Sequence, residues 1–218
     1  MNDINPVGSD RHIVWLDCEM TGLRINGDTA EKPDDEIIEI GVIITDAFLN
    51  PVDSGMTVVI KPSAAAIEHM NSFVRSMHTS SGLLAALSGG MALADAESAV
   101  LDYITQHVPQ PKTAPIAGNT IMMDRVFISK YMPKVDEHLH YRSIDVSAIK
   151  EITMRWFPDV FSAMPVKTGN HRALADAVES IRELEYYRNI LFRMAPKTPE
   201  ELSAASEDAT KKWSSYLS

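Results

Sequence analysis

Apolar side chains fall along this chain in two rhythms. The first is that of strands. Ile13-Val14-Trp15-Leu16 is continuously apolar, then breaks into Asp17-Cys18-Glu19 ahead of Gly22. A short apolar run that opens into a glycine-containing loop predicts a buried strand over residues 12–18. Residues 37–45, rich in Ile and Val, predict a central strand, and 56–61, stopped by Pro62, the next. Asn50-Pro51 and Asp53-Ser54-Gly55 lie between them, so the two are expected to pair as an antiparallel hairpin. A short strand is expected over 115–118 and an extended piece over 141–145.

The second rhythm is helical. Residues 63–90 predict short helices punctuated by Gly82 and Gly89-Gly90. Over 94–108, Ala96, Ala99, Val100, Tyr103, Ile104 and His107 recur at helical spacing, and Pro109 and Pro111 end the run. Helices follow over 122–132 and 146–156, with a loop bracketed by Pro158 and Pro165. The clearest helix spans 172–192, with Leu174, Ala177, Val178, Ile181, Leu184 and Ile190 near one face. Glu179, Arg182, Glu183 and Arg188 fall mostly elsewhere. Thr198-Pro199-Glu200-Glu201 is a capping box with Pro at the first helical position, and it predicts a tail helix towards Trp213. Three strands, helices, strand, helix, strand and helices in that order give an α/β protein with a mixed β-sheet flanked by helices.

The 218 residues, 45% apolar and 23% charged, suffice for one globular domain with extensions. The expected division is a flexible N-terminal arm over 1–11, a folded domain over 12–194 and a tail, with its short helix, over 195–218. No apolar run approaches the roughly 20 residues that span a bilayer, so no membrane is expected. A cytoplasmic protein follows; a mitochondrial one is the alternative, although no clear presequence supports it. The single Cys18 excludes an internal disulfide and alternates away from Asp17 and Glu19, into the core. The acidic run over 28–36 reads as a solvated loop, and the 12 Met as core filler. A net charge of −10 disfavours tracking along a nucleic-acid backbone, which calls for a basic footprint.

The charge pattern does leave room for chemistry over a few nucleotides. Asp17 and Glu19 share one face of their strand. Asp124 lies one turn into a helix, His171 sits at or just before a helix start, and Asp176 follows in its first turns. Each has an ordinary explanation alone, such as an acid offsetting a helix dipole. Four carboxylates gathered without matching cations would be costly, and two divalent cations would neutralise them. Hard oxygen donors select Mg²⁺ or Mn²⁺. A pair of such ions suits in-line phosphoryl displacement, with a nearby His taking the proton of the attacking water.

Four motifs in order carry a resemblance. They are Leu16-Asp17-Cys18-Glu19-Met20-Thr21-Gly22-Leu23, Gly118-Asn119-Thr120 with Asp124, His140-Tyr141-Arg142 with Asp145-Val146-Ser147, and His171-Arg172-Ala173-Leu174 with Asp176. Together, over about residues 12–193, the chain resembles the oligoribonuclease family, the small-oligonucleotide branch of the DEDDh 3′-to-5′ exonucleases. The resemblance implies a ribonuclease H-like exonuclease fold, a homodimer, and metal-dependent 3′-to-5′ hydrolysis of very short RNA oligonucleotides, dinucleotides above all, to 5′-mononucleotides. It implies that Asp17, Glu19, Asp124 and Asp176 bind the metals and that His171 is the general base. Leu23 would sit between the bases, and Phe73, where the family usually has Trp, would stack on one. Thr120, Ser147 and Arg142 would cap the 5′ phosphate, with Tyr141 and Arg142 supplied by the other subunit. Thr120 stands for the family's Ser, Ala148 replaces a second hydroxyl, and the loop after Leu23 is longer and more acidic. Competing readings are a proofreading or trimming exonuclease on longer DNA or RNA, and a non-catalytic nucleotide-binding protein. Without the resemblance, Phe73 would be read as core.

Overall fold

The computed structural model describes residues 11–25, 27, 33–167, 169, 171–192 and 198–213. The expected arm before Arg11 and the 28–32 part of the acidic run lie outside the described residues. The chain divides into two compact units, 1–186 and 187–218.

The first unit is built on β1 (Ile13–Met20), buried throughout except at Asp17. Its neighbour β2 (Ile37–Thr45) is buried along its whole length. A continuous apolar run is what a strand covered on both faces requires. β1 and β2 pair antiparallel, placing Asp17 opposite Gly41 and Glu19 opposite Glu39. β3 (Met56–Val59) pairs antiparallel with β2, so the expected hairpin forms. Short helices α1 (Ala64–His69), α2 (Ser72–Ser80) and α3 (Leu83–Ala86) follow, then α4 (Leu93–His107). The chain returns as β4 (Pro115–Gly118), parallel to β1, continues through α5 (Ile121–Tyr131) and α6 (Pro133–His138), and adds β5 (His140–Asp145) parallel to β4. α7 (Val146–Trp156), α8 (Pro158–Ser162) and α9 (Ala173–Ile190) follow, the last four residues of α9 being counted with the second unit. The five-stranded mixed sheet has the order β3-β2-β1-β4-β5.

Alternation along β1 separates structure from chemistry. Val14, Leu16, Cys18 and Met20 enter the main core with Ala96, Val100 and Ile104 of α4 and Phe127 and Ile128 of α5. Asp17 and Glu19 take the other face, onto which the start of α9 docks. Gly41 permits that contact: a Cβ there would come 2.1 Å from the Leu174 backbone nitrogen.

Several local expectations need correction. Pro158 does not begin a loop; it occupies the first turn of α8, where its missing N–H costs nothing. α9 does not bury a purely apolar stripe. Glu179, Ser180 and Glu183 are buried beside Ala177 and Ile181, whereas Val178 and Ile190 are exposed. The buried polar groups find partners, since Asn119 donates to Ser180 Oγ at 2.8 Å and Lys150 pairs with Glu183 at 2.9 Å. Met filler is also only partly right: Met20, Met70 and Met132 are buried, but Met91, Met122, Met123 and Met154 are exposed. Asp34, in the run read as solvated, is buried and pairs with Lys130.

In the second unit, α10 (Pro199–Trp213) begins with the expected capping box. Thr198 N–H donates to Glu201 Oε2 at 2.8 Å, and Glu201 N–H donates to Thr198 Oγ1 at 3.2 Å. Among the described residues, no helix is long and apolar enough to cross a membrane.

Candidate active site

β1 delivers two carboxylates to one face of the sheet, and two helices bring others to it. Asp124, in the first turn of α5, is held by long-range geometry: its Oδ1 accepts the Cys18 backbone N–H at 2.9 Å. Asp176, in the first turn of α9, lies with His171 against Glu19. One ligand atom from each of these three lies within 4.8 Å of the others. Asp17 and Asp124 stand outside that compact triple, but charge links them to it: Asp124, Asp176 and Glu19 all act on Asp17. His171 is exposed and adopts a φ of 46°, in the left-handed region.

The acids are short of compensating charge. Burial, and then the neighbouring Asp176, pushes Glu19 up to about 7, with Arg172 opposing. Burial likewise pushes Asp124 up to about 7, against the stabilising Cys18 N–H. Asp17 rises well above the usual carboxylate range through burial and the surrounding acids. Asp176 rises through burial and Glu179, with His171 and Lys167 opposing. His78, fully buried on α2, offers little relief. Its Nε2–H donates to the Met20 carbonyl at 2.8 Å and burial lowers its pKa, favouring the neutral ring, in which Nδ1, 3.8 Å from Glu19 Oε2, carries the lone pair.

Two cavities meet at Phe73. One, of 240 Å³, is lined by Glu19, Gly22, Leu23, Phe73, Val74 and Met77. The other, of 620 Å³, carries Ser76, Ser80, His171 and Arg172 on its walls. Phe73 is 76% exposed and Leu23 65%, so Phe73 is not the core residue that its type alone suggests. Asp35 braces the Leu23 loop by accepting the Thr21 hydroxyl (2.9 Å) and the Arg24 N–H (2.8 Å).

Thr120 and Ser147 come together where β4 and β5 end. Asp145 Oδ1 accepts both backbone N–H groups, at 3.0 and 2.9 Å. Ser147 donates to Asn119 Oδ1, which leaves the Thr120 hydroxyl to donate to Ser147 Oγ, both at 3.1 Å. Asn119 in turn donates to Ser180 Oγ, which donates to the Asp176 carbonyl at 3.0 Å. Tyr141 and Arg142 are not part of this group. They stand on edge strand β5, exposed, with Arg142 Nε donating to the Tyr141 hydroxyl at 3.2 Å. Among the described residues neither bonds to Thr120 or Ser147.

Sequence reasoning missed Glu39, His78 and Lys167. Glu39 had a visible signal, as the one charge in an otherwise apolar strand. It is fully buried, and Arg172 and the Ala173 N–H both bind it. Lys167, 3.8 Å from Glu183, draws the pKa of Asp17 and Asp176 down.

Comparison with known proteins places this geometry in context. Residues 14–184 match the RNase_T exonuclease family. The oligoribonuclease of Leifsonia xyli subsp. xyli is 53% identical, over 96% of this chain and 98% of that one. That of Streptomyces coelicolor is 47% identical, over 88% and 93%. Among solved structures, S. pombe Pop2p in its Mg²⁺- and Mn²⁺-bound form superposes with a TM-score of 0.61 at 15% identity, covering 85% of this chain and 86% of that one. E. coli exonuclease I with a dT13 oligonucleotide gives 0.59 at 16% identity, over 84% of this chain and 42% of that one. This chain thus spans about two fifths of that protein. These likenesses establish the exonuclease, ribonuclease H-like class of the mixed sheet and its flanking helices.

Proposed function

Since the chain belongs to the RNase_T exonuclease family and to its oligoribonucleases, we infer that it is a 3′-to-5′ exoribonuclease of short RNA. Asp17, Glu19, Asp124 and Asp176 hold two divalent cations, Mg²⁺ or Mn²⁺, and His171 is the general base. The observation that carries this reading is the meeting of Glu19, His171 and Asp176 within 4.8 Å, beside acids whose proton affinity is raised by burial and mutual repulsion. The four carboxylates fit hard dications, because their donors are all oxygens, and the His171 imidazole beside them is left to take a proton. The chemistry bound cations supply here is charge compensation, acidification of a water and stabilisation of the leaving oxygen.

The chain's own residues do the rest. His171 accepts the proton of the attacking water as its oxygen bonds to phosphorus. The bond from phosphorus to the preceding 3′ oxygen breaks, that oxygen takes a proton from solvent, and a 5′-mononucleotide leaves. Leu23, exposed on the smaller cavity, sits between the bases, and Phe73, exposed where the two cavities meet, stacks on one of them, as aromatic side chains do for single strands. Thr120 and Ser147 cap the 5′ phosphate with hydroxyls, and Arg142 closes the cap with a forked, charge-assisted contact. Tyr141 and Arg142 serve the site of a second copy in a homodimer. Support for the dimer is their exposure on an edge strand, with exposed apolar groups at Ile152, Met154 and Trp156 of α7 and at Phe157 just after it. The exonuclease domain is taken as 12–194, with 1–11 and 195–218 as appendages, and cytoplasmic residence accords with its bacterial relatives.

The test is a time course on 5′-labelled RNA of two to ten nucleotides with Mn²⁺, with and without chelator. Dinucleotides should turn over fastest and chelator should stop the reaction. Equal rates for dinucleotide and decamer would remove the phosphate cap; hydrolysis indifferent to chelator would remove the metal site.

A further inference from the structure

We propose that Glu39 is a positioning residue: it clamps the start of α9 so that His171 and Asp176 meet Glu19. The inference rests on the nuclease reading above and extends it to a residue outside the acid cluster. Glu39 lies directly opposite Glu19 across the β1–β2 pair and is completely buried. Its carboxylate is fully engaged by the two residues that follow His171. Arg172 Nε donates to Oε1 and Oε2 at 3.0 and 3.1 Å, and Arg172 Nη2 donates to Oε1 at 2.6 Å. The Ala173 N–H donates to Oε2 at 3.0 Å. Two residues along the same face of β2, the bare Gly41 allows the Leu174 backbone to touch the strand. Residues 172–174 are therefore pinned at two points, by a fork of hydrogen bonds and by a close backbone contact.

What the clamp holds is the site. His171 immediately precedes it, in a left-handed conformation that a non-glycine residue keeps only when its surroundings impose it. Asp176 N–H donates to the Arg172 carbonyl at 3.0 Å, so the first helical turn transmits the same anchor to the acid. A simple stability role explains Glu39 poorly. Buried ion pairs are often no more stabilising than apolar pairs of the same size. This one adds an acid beside Glu19 and raises the proton affinity of both Glu19 and Asp176, a cost to the acid cluster. Its return is the placement of α9, since outer hydrogen bonds of this kind orient the groups that meet a metal or substrate.

Glu39→Gln keeps the shape and an acceptor for the Ala173 N–H but cannot receive the guanidinium fork. Arg172→Gln opens the same clamp from its partly exposed end and serves should the buried variant fold poorly. Each is expected to lower kcat on a dinucleotide about 10- to 100-fold, with KM within about threefold, and to weaken calorimetric Mn²⁺ affinity about tenfold. In a His171→Ala background the further kcat loss from Glu39→Gln should be smaller, because the part that acts through the imidazole is already gone, whereas the loss of Mn²⁺ affinity that acts through Asp176 should persist. Wild-type kcat and Mn²⁺ affinity in both variants would overturn the proposal. So would an equal fold-loss in kcat with and without His171, which marks general damage. A wild-type protein without chelator-sensitive hydrolysis would refute the nuclease reading instead, and the Mn²⁺ titration would still decide the clamp.

Discussion

Glu19→Gln should stabilise the metal-free protein, and by an amount that depends on pH. In the folded chain burial and Asp176 push Glu19 from its ordinary 4.5 up to about 7. A carboxyl with a raised folded pKa keeps its proton longer in the folded state than in the unfolded one. Stability is therefore lost as pH rises from the unfolded value through the folded one. Above both, the loss from this residue is about 3 kcal/mol; at pH 5 it is less than about 1 kcal/mol. Gln removes the charge, keeps the volume, and brings an amide donor towards His78 Nδ1, which has no hydrogen-bond partner among the described residues. In EDTA, urea denaturation should show the variant about 3 kcal/mol more stable than wild type at pH 8, and nearly equal at pH 5. For a domain of this size that is a rise in Tm of about 6–12 °C at pH 8. Saturating Mn²⁺ should reverse the order, because a ligand that binds only the folded state adds stability to the chain that holds it better. A variant less stable than wild type at pH 8 in EDTA, or one with the same difference at both pH values, would refute the electrostatic account of this cluster.

Two further outcomes bear on the site. Gly41→Ala would place a methyl 2.1 Å from the Leu174 backbone nitrogen. Overpacking against backbone should cost about 3 kcal/mol in urea denaturation and lower turnover as α9 shifts; an equally stable, fully active variant would show that α9 does not need this contact. If Arg142 serves the site of a second copy, as proposed, then Arg142→Ala and His171→Ala proteins, each nearly inactive alone, should recover about a quarter of wild-type rate after mixing and subunit exchange, since half the dimers then hold one complete site. No recovery, with exchange verified by mass, would place Arg142 in the site of its own chain.

Much of the fold was legible because its signals are local. The apolar run of β1, the Ile- and Val-rich β2, the turn before β3 and the Thr198 capping box are all written in consecutive residues. The motif residues Asp17, Glu19, Asp124, His171 and Asp176 could be picked out by type and order. The misreadings share a different cause. α9 was expected to hide Val178 and Ile190, but it lies over a polar site and buries Ser180, Glu179 and Glu183 instead. Asp34 sits in an acidic stretch that looks solvated until Lys130, 96 residues away, is folded against it. Phe73 looks like core by type and stands exposed between two cavities.

By itself the sequence determined which segments become strands and helices, and which acids and histidine were candidates for chemistry. Side-chain period and turn residues act over a few positions and need no partner to be read. Only the tertiary structure decided that Cys18 N–H would hold Asp124, that Arg172 would close on Glu39, and that the carboxyls would crowd until their proton affinities rose. Those effects depend on burial and on distances of a few ångströms between residues far apart in the chain, and neither exists until the chain has folded.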